Sequence, residues 1–127
     1  TEPVHRRDLA LLELLYATGA RISEAVGLSI GEIDLDHRLG RLYGKGSKER
    51  IVPVGSTAAA ALEEWFSPSG RAHLVPDRWR TRDDAEAVFL NTRGARLSRQ
   101  AAWLVVLKSG ARAGIADQLS PHVLRHS

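Results

Sequence analysis

The sequence predicts an α+β domain, mainly helical, with a small three-stranded antiparallel sheet, and three observations carry that reading. Apolar residues recur at helical spacing near the amino terminus, over residues 56–66 and again from residue 99. Three short runs of extended character lie together between residues 33 and 54 and are joined by a glycine-rich tip. No internal repeat, heptad or low-complexity tract interrupts them. The 127 residues therefore read as one domain, long enough to bury an apolar core.

The elements follow in chain order. Asp8 to Tyr16 presents Leu9, Leu11, Leu12, Leu15 and Tyr16 as a helical stripe. Thr18-Gly19 ends it, and Gly19 suits a left-handed cap. A second, short helix runs from about Arg21 to Gly27 and buries Ile22, Ala25 and Val26. Gly31 to Asp34 reads as a turn. Ile33 and Leu35 suggest a first strand, Gly40 to Tyr43 a second and Arg50 to Val54 a third. Gly44-Lys45-Gly46-Ser47-Lys48 is the hairpin tip between the last two, its glycines permitting positive φ and its lysines reaching outward. Ser56 to Phe66 is an alanine-rich amphipathic helix. Residues 67–87 contain Pro68, Gly70 and Pro76 and no period, so they read as a long surface connection with room for a helical turn. Val88-Phe89-Leu90 is a short extended piece. Ser98 caps a helix from about Arg99 to Ala113, ended by Gly114, with Ala102, Trp103, Val106 and Leu107 among its apolar positions. Ser120 as N-cap and Pro121 at the first helical position open a last helix.

Composition bounds the function. Apolar residues at 43% and charged residues at 26% are the balance of an ordinary globular domain, not of a disordered or fibrous chain. No apolar run is long enough to span a bilayer, and no signal peptide is visible. The lack of cysteine excludes disulfides and thiolate metal sites and fits the cytoplasm. The chain begins at Thr1, has no methionine and closes about one turn into a helix, so it is expected to be part of a longer protein.

Net charge is +3 with a pI near 9.8, a weak argument for nucleic acid by itself. Its distribution says more. Arg38, Arg41, Lys45, Lys48 and Arg50 face a single acid, Glu49, between His37 and Arg50. Six arginines lie between Arg78 and Arg99 against Asp83, Asp84 and Glu86. Either run reads equally as a solvated face. The preference for arginine suits planar, bidentate phosphate contacts.

Four positions stand out: Arg21 at a helix start after a Thr-Gly-Ala turn, Lys45 at the hairpin tip, and His122 and Arg125 three apart on one helical face. Each alone has an ordinary structural explanation. Together they sit inside three recognisable runs. Residues 14–28, LLYATGARISEAVGL, resemble the first catalytic box of the tyrosine recombinases, the phage integrase family. Residues 44–50, GKGSKER, followed by Val52-Pro53, resemble that family's β-hairpin lysine motif. Residues 119–126, LSPHVLRH, resemble its His-x-x-Arg box. The order and spacing agree over nearly the whole chain, and the wording is most similar to the bacterial Xer branch.

The resemblance implies a partial catalytic domain spanning residues 1–127 that recombines double-stranded DNA at specific sites. Such proteins serve DNA integration and, in the Xer branch, chromosome-dimer resolution and hence chromosome segregation at cell division. It implies that Arg21 and Arg125 grip the scissile phosphate, that His122 is a base or a further donor, and that Lys45 protonates the leaving 5′-oxygen. Glu24 matches a family acid that positions the site and balances its charge. Arg99 and Gln100 match the start of a helix that enters the major groove, where arginine reads guanine and glutamine reads adenine. Lys48 and Arg50 are expected beside the hairpin on phosphates. No metal or other cofactor is implied, because four cationic side chains supply the charge and a phosphotyrosine link keeps the bond energy for rejoining.

The family's nucleophile is a tyrosine well beyond the His-x-x-Arg box. Tyr16 and Tyr43 are the only tyrosines here, and both are expected to pack rather than attack. The chain by itself is thus expected to be inactive and monomeric, and its parent to act as a tetramer on DNA in the cytoplasm. Three other readings stay open. One is relaxation of supercoils in the manner of type IB topoisomerases, which use a similar cationic set. Another is a non-catalytic DNA-binding module. The last is a zinc site on His122 and His126, although Val123 stands where the zinc peptidase motif needs glutamate.

Overall fold

The first helix, α1, spans Glu2–Thr18 in a computed structural model that describes residues 2–44, 46 and 48–109. It starts earlier than its apolar stripe requires, because Arg7 continues the inward face one turn before Ala10 and Leu11. Arg7 is 7% exposed. It donates to Leu90 O at 3.2 Å and to Asp8 Oδ1 at 2.8 Å, so its charge is paired where it is buried. Thr18 closes the helix. Its hydroxyl donates to Leu14 O and accepts from Ala20 N, while Gly19 takes φ +66°. Only a residue without Cβ adopts that turn freely. The fully buried Ala20 then leads into α2, Ile22–Val26, with Ile22, Ala25 and Val26 in the core as expected.

Ile30–Glu32 forms a 3₁₀ turn before the sheet; the turn expected over Gly31 to Asp34 is thus shifted, since Ile33 and Asp34 already pair as a strand. The sheet has three antiparallel strands in the order β1 (Ile33–Asp34), β2 (Leu39–Tyr43) and β3 (Glu49–Pro53). In β2, Gly40 and Leu42 face inward while Leu39, Arg41 and Tyr43 face out, the period of two that half-buried strands require. Leu42 lies opposite Arg50 and Gly40 opposite Val52.

Helix α3, Gly55–Phe66, packs along α1 and brings Ala58, Ala59, Ala61, Leu62 and Trp65 against Leu11, Leu14 and Leu15. Trp65 is fully buried, and its Nε1 donates to Val88 O at 2.7 Å. Past the helix, Gly70 passes so close to the Trp65 carbonyl that a Cβ there would collide with it. The long connection holds a 3₁₀ turn at Arg71–Leu74 and a short helix α4, Arg82–Glu86, capped by the Thr81 hydroxyl. Val88–Leu90, expected to be a short extended piece, forms no strand: Val88 and Phe89 bend between two single bridges, Ser29 to Ala87 and Leu90 to Arg96. Helix α5, Arg99–Lys108, begins at Ser98, whose Oγ accepts from Ala101 N. Ala102 and Val106 are buried, while Leu107 is 53% exposed. The expected continuation to Ala113, the stop at Gly114 and the last helix from Ser120 lie outside the described residues.

The loop between β1 and β2 carries an exposed pair. Asp34 accepts from His37 N at 3.1 Å, and its second oxygen lies 2.8 Å from His37 Nδ1. The hydrogen bond to the Asp34 side chain, then the carboxylate charge, raises the His37 pKa above the usual 6.5, and hydrogen bonds from the His37 side chain and then its backbone N–H lower that of Asp34. The His37 contribution is complete below the unfolded value of 6.5 and fades as pH rises through the raised folded value. The Asp34 contribution is complete above 3.8 and fades as pH falls through its lowered one. An NMR titration should place His37 above an ordinary histidine, and Asp34→Asn should return it; an unchanged midpoint in the variant would exclude this cause.

Candidate active site

The turn that ends α1 delivers Arg21 to the N-cap of α2 with extended backbone (φ −74°, ψ 154°). Its side chain makes no capping bond, so the guanidinium is not consumed by the helix end. The cap comes from the other direction. Glu24 sits three residues on, and its Oε1 accepts from Arg21 N at 2.9 Å, which is the acidic half of a capping box. This carboxylate is 4% exposed as a residue, far from the surface position that a helix glutamate usually takes. Its Oε2 faces the sheet. Arg50 Nη1 is 3.0 Å from it, close enough for a strong charge pair, although no described donor is aligned with Oε2 as a hydrogen bond. A Cβ built on Gly44 would stand 3.6 Å from the same oxygen.

One buried carboxylate therefore accepts from the backbone of Arg21, pairs with the arginine that begins β3's inward face, and lies on the side of Gly44 where a Cβ would stand. Gly44 N donates to Lys48 O at 2.9 Å and closes the hairpin at its foot, and Gly46 turns the tip with φ +75°. Lys45 itself lies outside the described residues, as do His122 and Arg125. Of the four residues expected around a phosphate, Arg21 alone is described, and it stands beside the foot of the hairpin that carries Lys45.

Among the expected DNA contacts, Gln100 and Lys48 are exposed, and Arg99 opens α5 at the surface. Arg50 differs: half of its side chain is exposed, but its guanidinium reaches inward to Glu24. Tyr16 and Tyr43 do not pack as expected. They are 57% and 43% exposed, and the Tyr43 hydroxyl donates to Glu49 at 3.3 Å on the outer face of the sheet. Outward alternation in β2 and the solvent side of α1 explain both. Among the described residues no group of three His, Asp or Glu could hold a metal, and no helix is long and apolar enough to cross a membrane.

Sequence reasoning overlooked three structural arginines. Arg96, one of the six between Arg78 and Arg99, donates to Val26 O (2.8 Å), Leu28 O (3.0 Å) and Ser29 Oγ (3.1 Å), and pairs with Asp83 at 2.9 Å. It thereby caps Val26 O where α2 ends and adds a second donor to Leu28 O, which also accepts from Val88 N. Arg71 donates to Ala85 O and Ala87 O and lies 5.7 Å from the Trp79 ring. Arg7 does the same for Leu90 O. Only Arg7 left a trace in the sequence, as an i, i+4 partner of Leu11 on the buried stripe.

Comparison with known proteins identifies the family. A model of the phage integrase family matches residues 1–127. The chain is 50% identical over 127 residues to Tyrosine recombinase XerD of Bifidobacterium longum, covering 100% of this chain and 41% of that protein. It is 52% identical over 125 residues to Tyrosine recombinase XerD of Mycobacterium tuberculosis, covering 98% and 39%. Tyrosine recombinase XerC of Actinobacillus pleuropneumoniae is 48% identical over 126 residues, covering 99% and 38%. The crystal structure of XerA recombinase superposes with a TM-score of 0.71 at 26% identity over 97% of this chain and 42% of that one. The chain spans about two fifths of the length of these relatives.

Proposed function

The chain belongs to the phage integrase family, and we propose on that premise that its full-length protein is an Xer-type site-specific DNA recombinase. The observation that carries the reading is the Glu24 carboxylate, which brings the Arg21 cap and the foot of the Lys45 hairpin onto one buried group. Relatives about half identical over the whole chain, each named a tyrosine recombinase, support it.

The chemistry follows from charge. A phosphodiester repels nucleophiles because it is anionic. Arg21 and Arg125 would donate to its non-bridging oxygens and stabilise the charge that builds in the five-coordinate transition state. A tyrosine hydroxyl attacks phosphorus, the bond to the 5′-oxygen breaks, and Lys45 gives that oxygen a proton. His122 takes the phenolic proton or adds a donor to the phosphate. The reverse steps, run with another strand's 5′-hydroxyl, rejoin the DNA without ATP. The resemblance assigns the nucleophile to a tyrosine beyond Arg125, so these 127 residues alone would not cleave and would remain monomeric. The parent would work as a tetramer on a double-stranded recombination site in the cytoplasm. Lys48, Arg99 and Gln100 would contact that DNA.

The test is the full-length protein with paired recombination sites and with a nicked suicide duplex. Exchange of the paired sites and a covalent protein–DNA adduct are expected. Relaxation of supercoiled plasmid without exchange would replace this reading with the topoisomerase one, and DNA binding without any adduct would leave a non-catalytic module.

A further inference from the structure

Arg50 was expected on a DNA phosphate, and its guanidinium has another partner. Strand register decides where it points. Arg50 lies opposite Leu42, and directly opposed residues of an antiparallel pair share a face. Leu42 is 1% exposed, so Arg50 springs from the core-facing side of the sheet at the end nearest the hairpin tip. There it meets Glu24, whose side chain is only 2% exposed. A buried carboxylate stripped of its counter-charge is costly, so this pair ties β3 to α2 with more force than an exposed pair would. The Arg41–Glu49 pair on the outer face, 2.8 Å apart, joins the two strands to each other and does not reach α2.

We propose that Arg50 is a positioning residue. By pairing with Glu24 it pins the foot of the hairpin to the start of α2, and so sets where Lys45 stands relative to Arg21. The inference rests on the recombinase reading above and on Lys45 as the acid. Loss of the pin lets the hairpin swing, and a misplacement of about 1 Å in a reacting group costs up to roughly 10²-fold in rate.

The experiment uses the full-length protein in single-turnover cleavage of a suicide duplex. One duplex is ordinary; the other has sulfur in place of the bridging 5′-oxygen at the scissile phosphate. A thiolate leaves without a proton, so the sulfur duplex has no need of Lys45. Arg50→Gln should cleave ordinary DNA at least about 10-fold more slowly. It should cleave the sulfur duplex near the parental rate and bind DNA with unchanged salt dependence. Arg50→Lys keeps the charge and should recover part of the rate. Lys45→Ala is run alongside and should show the same relief by sulfur. A phosphate contact would instead lower the slope of log affinity against log salt by about 0.9 and slow both duplexes alike, which overturns the proposal. So does a loss of cleavage on both duplexes together with lower thermal stability. No defect in Lys45→Ala would overturn the acid assignment and this proposal with it. A Lys45→Ala defect that sulfur relieves, beside an Arg50→Gln defect that it does not, overturns the positioning role alone.

Discussion

Arg21→Ala in the full-length protein is expected to slow DNA cleavage by at least about 10²-fold while leaving the fold intact, because one preorganised donor to a developing oxyanion is worth roughly 10² to 10³ in rate. The local geometry isolates the effect. Arg21 contributes its backbone N–H to the Glu24 carboxylate at 2.9 Å, and alanine retains that group. Its side chain makes no capping bond that alanine would lose. Thermal unfolding should therefore barely move, while the covalent adduct forms slowly or not at all. Arg21→Lys keeps the charge but not the planar fork, and should fall between the two. Measured adduct formation at the parental rate in Arg21→Ala would remove Arg21 from the phosphate.

The second large effect is on stability. Trp65→Ala should cost about 3–5 kcal/mol, the range for deleting a fully buried aromatic ring. Trp65 fills the seam between α1 and α3, and its Nε1 holds Val88 O at 2.7 Å. Val88 N in turn donates to Leu28 O at 3.1 Å, so the ring supports the segment on which the end of α2 rests. Alanine would leave both a cavity and an unpaired buried carbonyl. Against the 5–15 kcal/mol typical of a domain, that loss brings the chain close to unfolding. Trp65→Phe keeps most of the volume and should cost less, mainly the hydrogen bond. Denaturant midpoints of the three proteins would measure both terms; a Trp65→Ala midpoint equal to the parent's would show the seam to be loosely packed.

The legible part of the fold was the part written in local periodicity. Leu11, Leu12 and Leu15 announced α1, Ala102 and Val106 announced α5, and the alternation around Gly40 and Leu42 announced the middle strand. Gly19 was legible as a stop because a left-handed residue without Cβ has few other uses. The candidate site was legible only as three separate runs of residues. Nothing in the run around Glu24 showed that it would be buried, since an acid three positions after a helix start is ordinary cap chemistry. The pairing of Arg50 with Glu24 was illegible for the same reason, as the two lie 26 residues apart, beyond any local pattern. Arg96 was lost among its neighbours because charge clustering does not distinguish a surface arginine from one that caps open carbonyls. Tyr16 and Tyr43 were expected to pack, and the faces they occupy turn out to be solvent-facing.

By itself the sequence determined the main helices and the sheet among the described residues and the membership in a family, because helix and strand periods are set by neighbours within a turn or two and motifs are strings. Only the tertiary structure decided which charges are consumed by the fold and which are left for a substrate. That depends on burial and on partners distant along the chain: Glu24 became a joint between α2 and the hairpin because packing took it out of water beside Arg50 and Gly44.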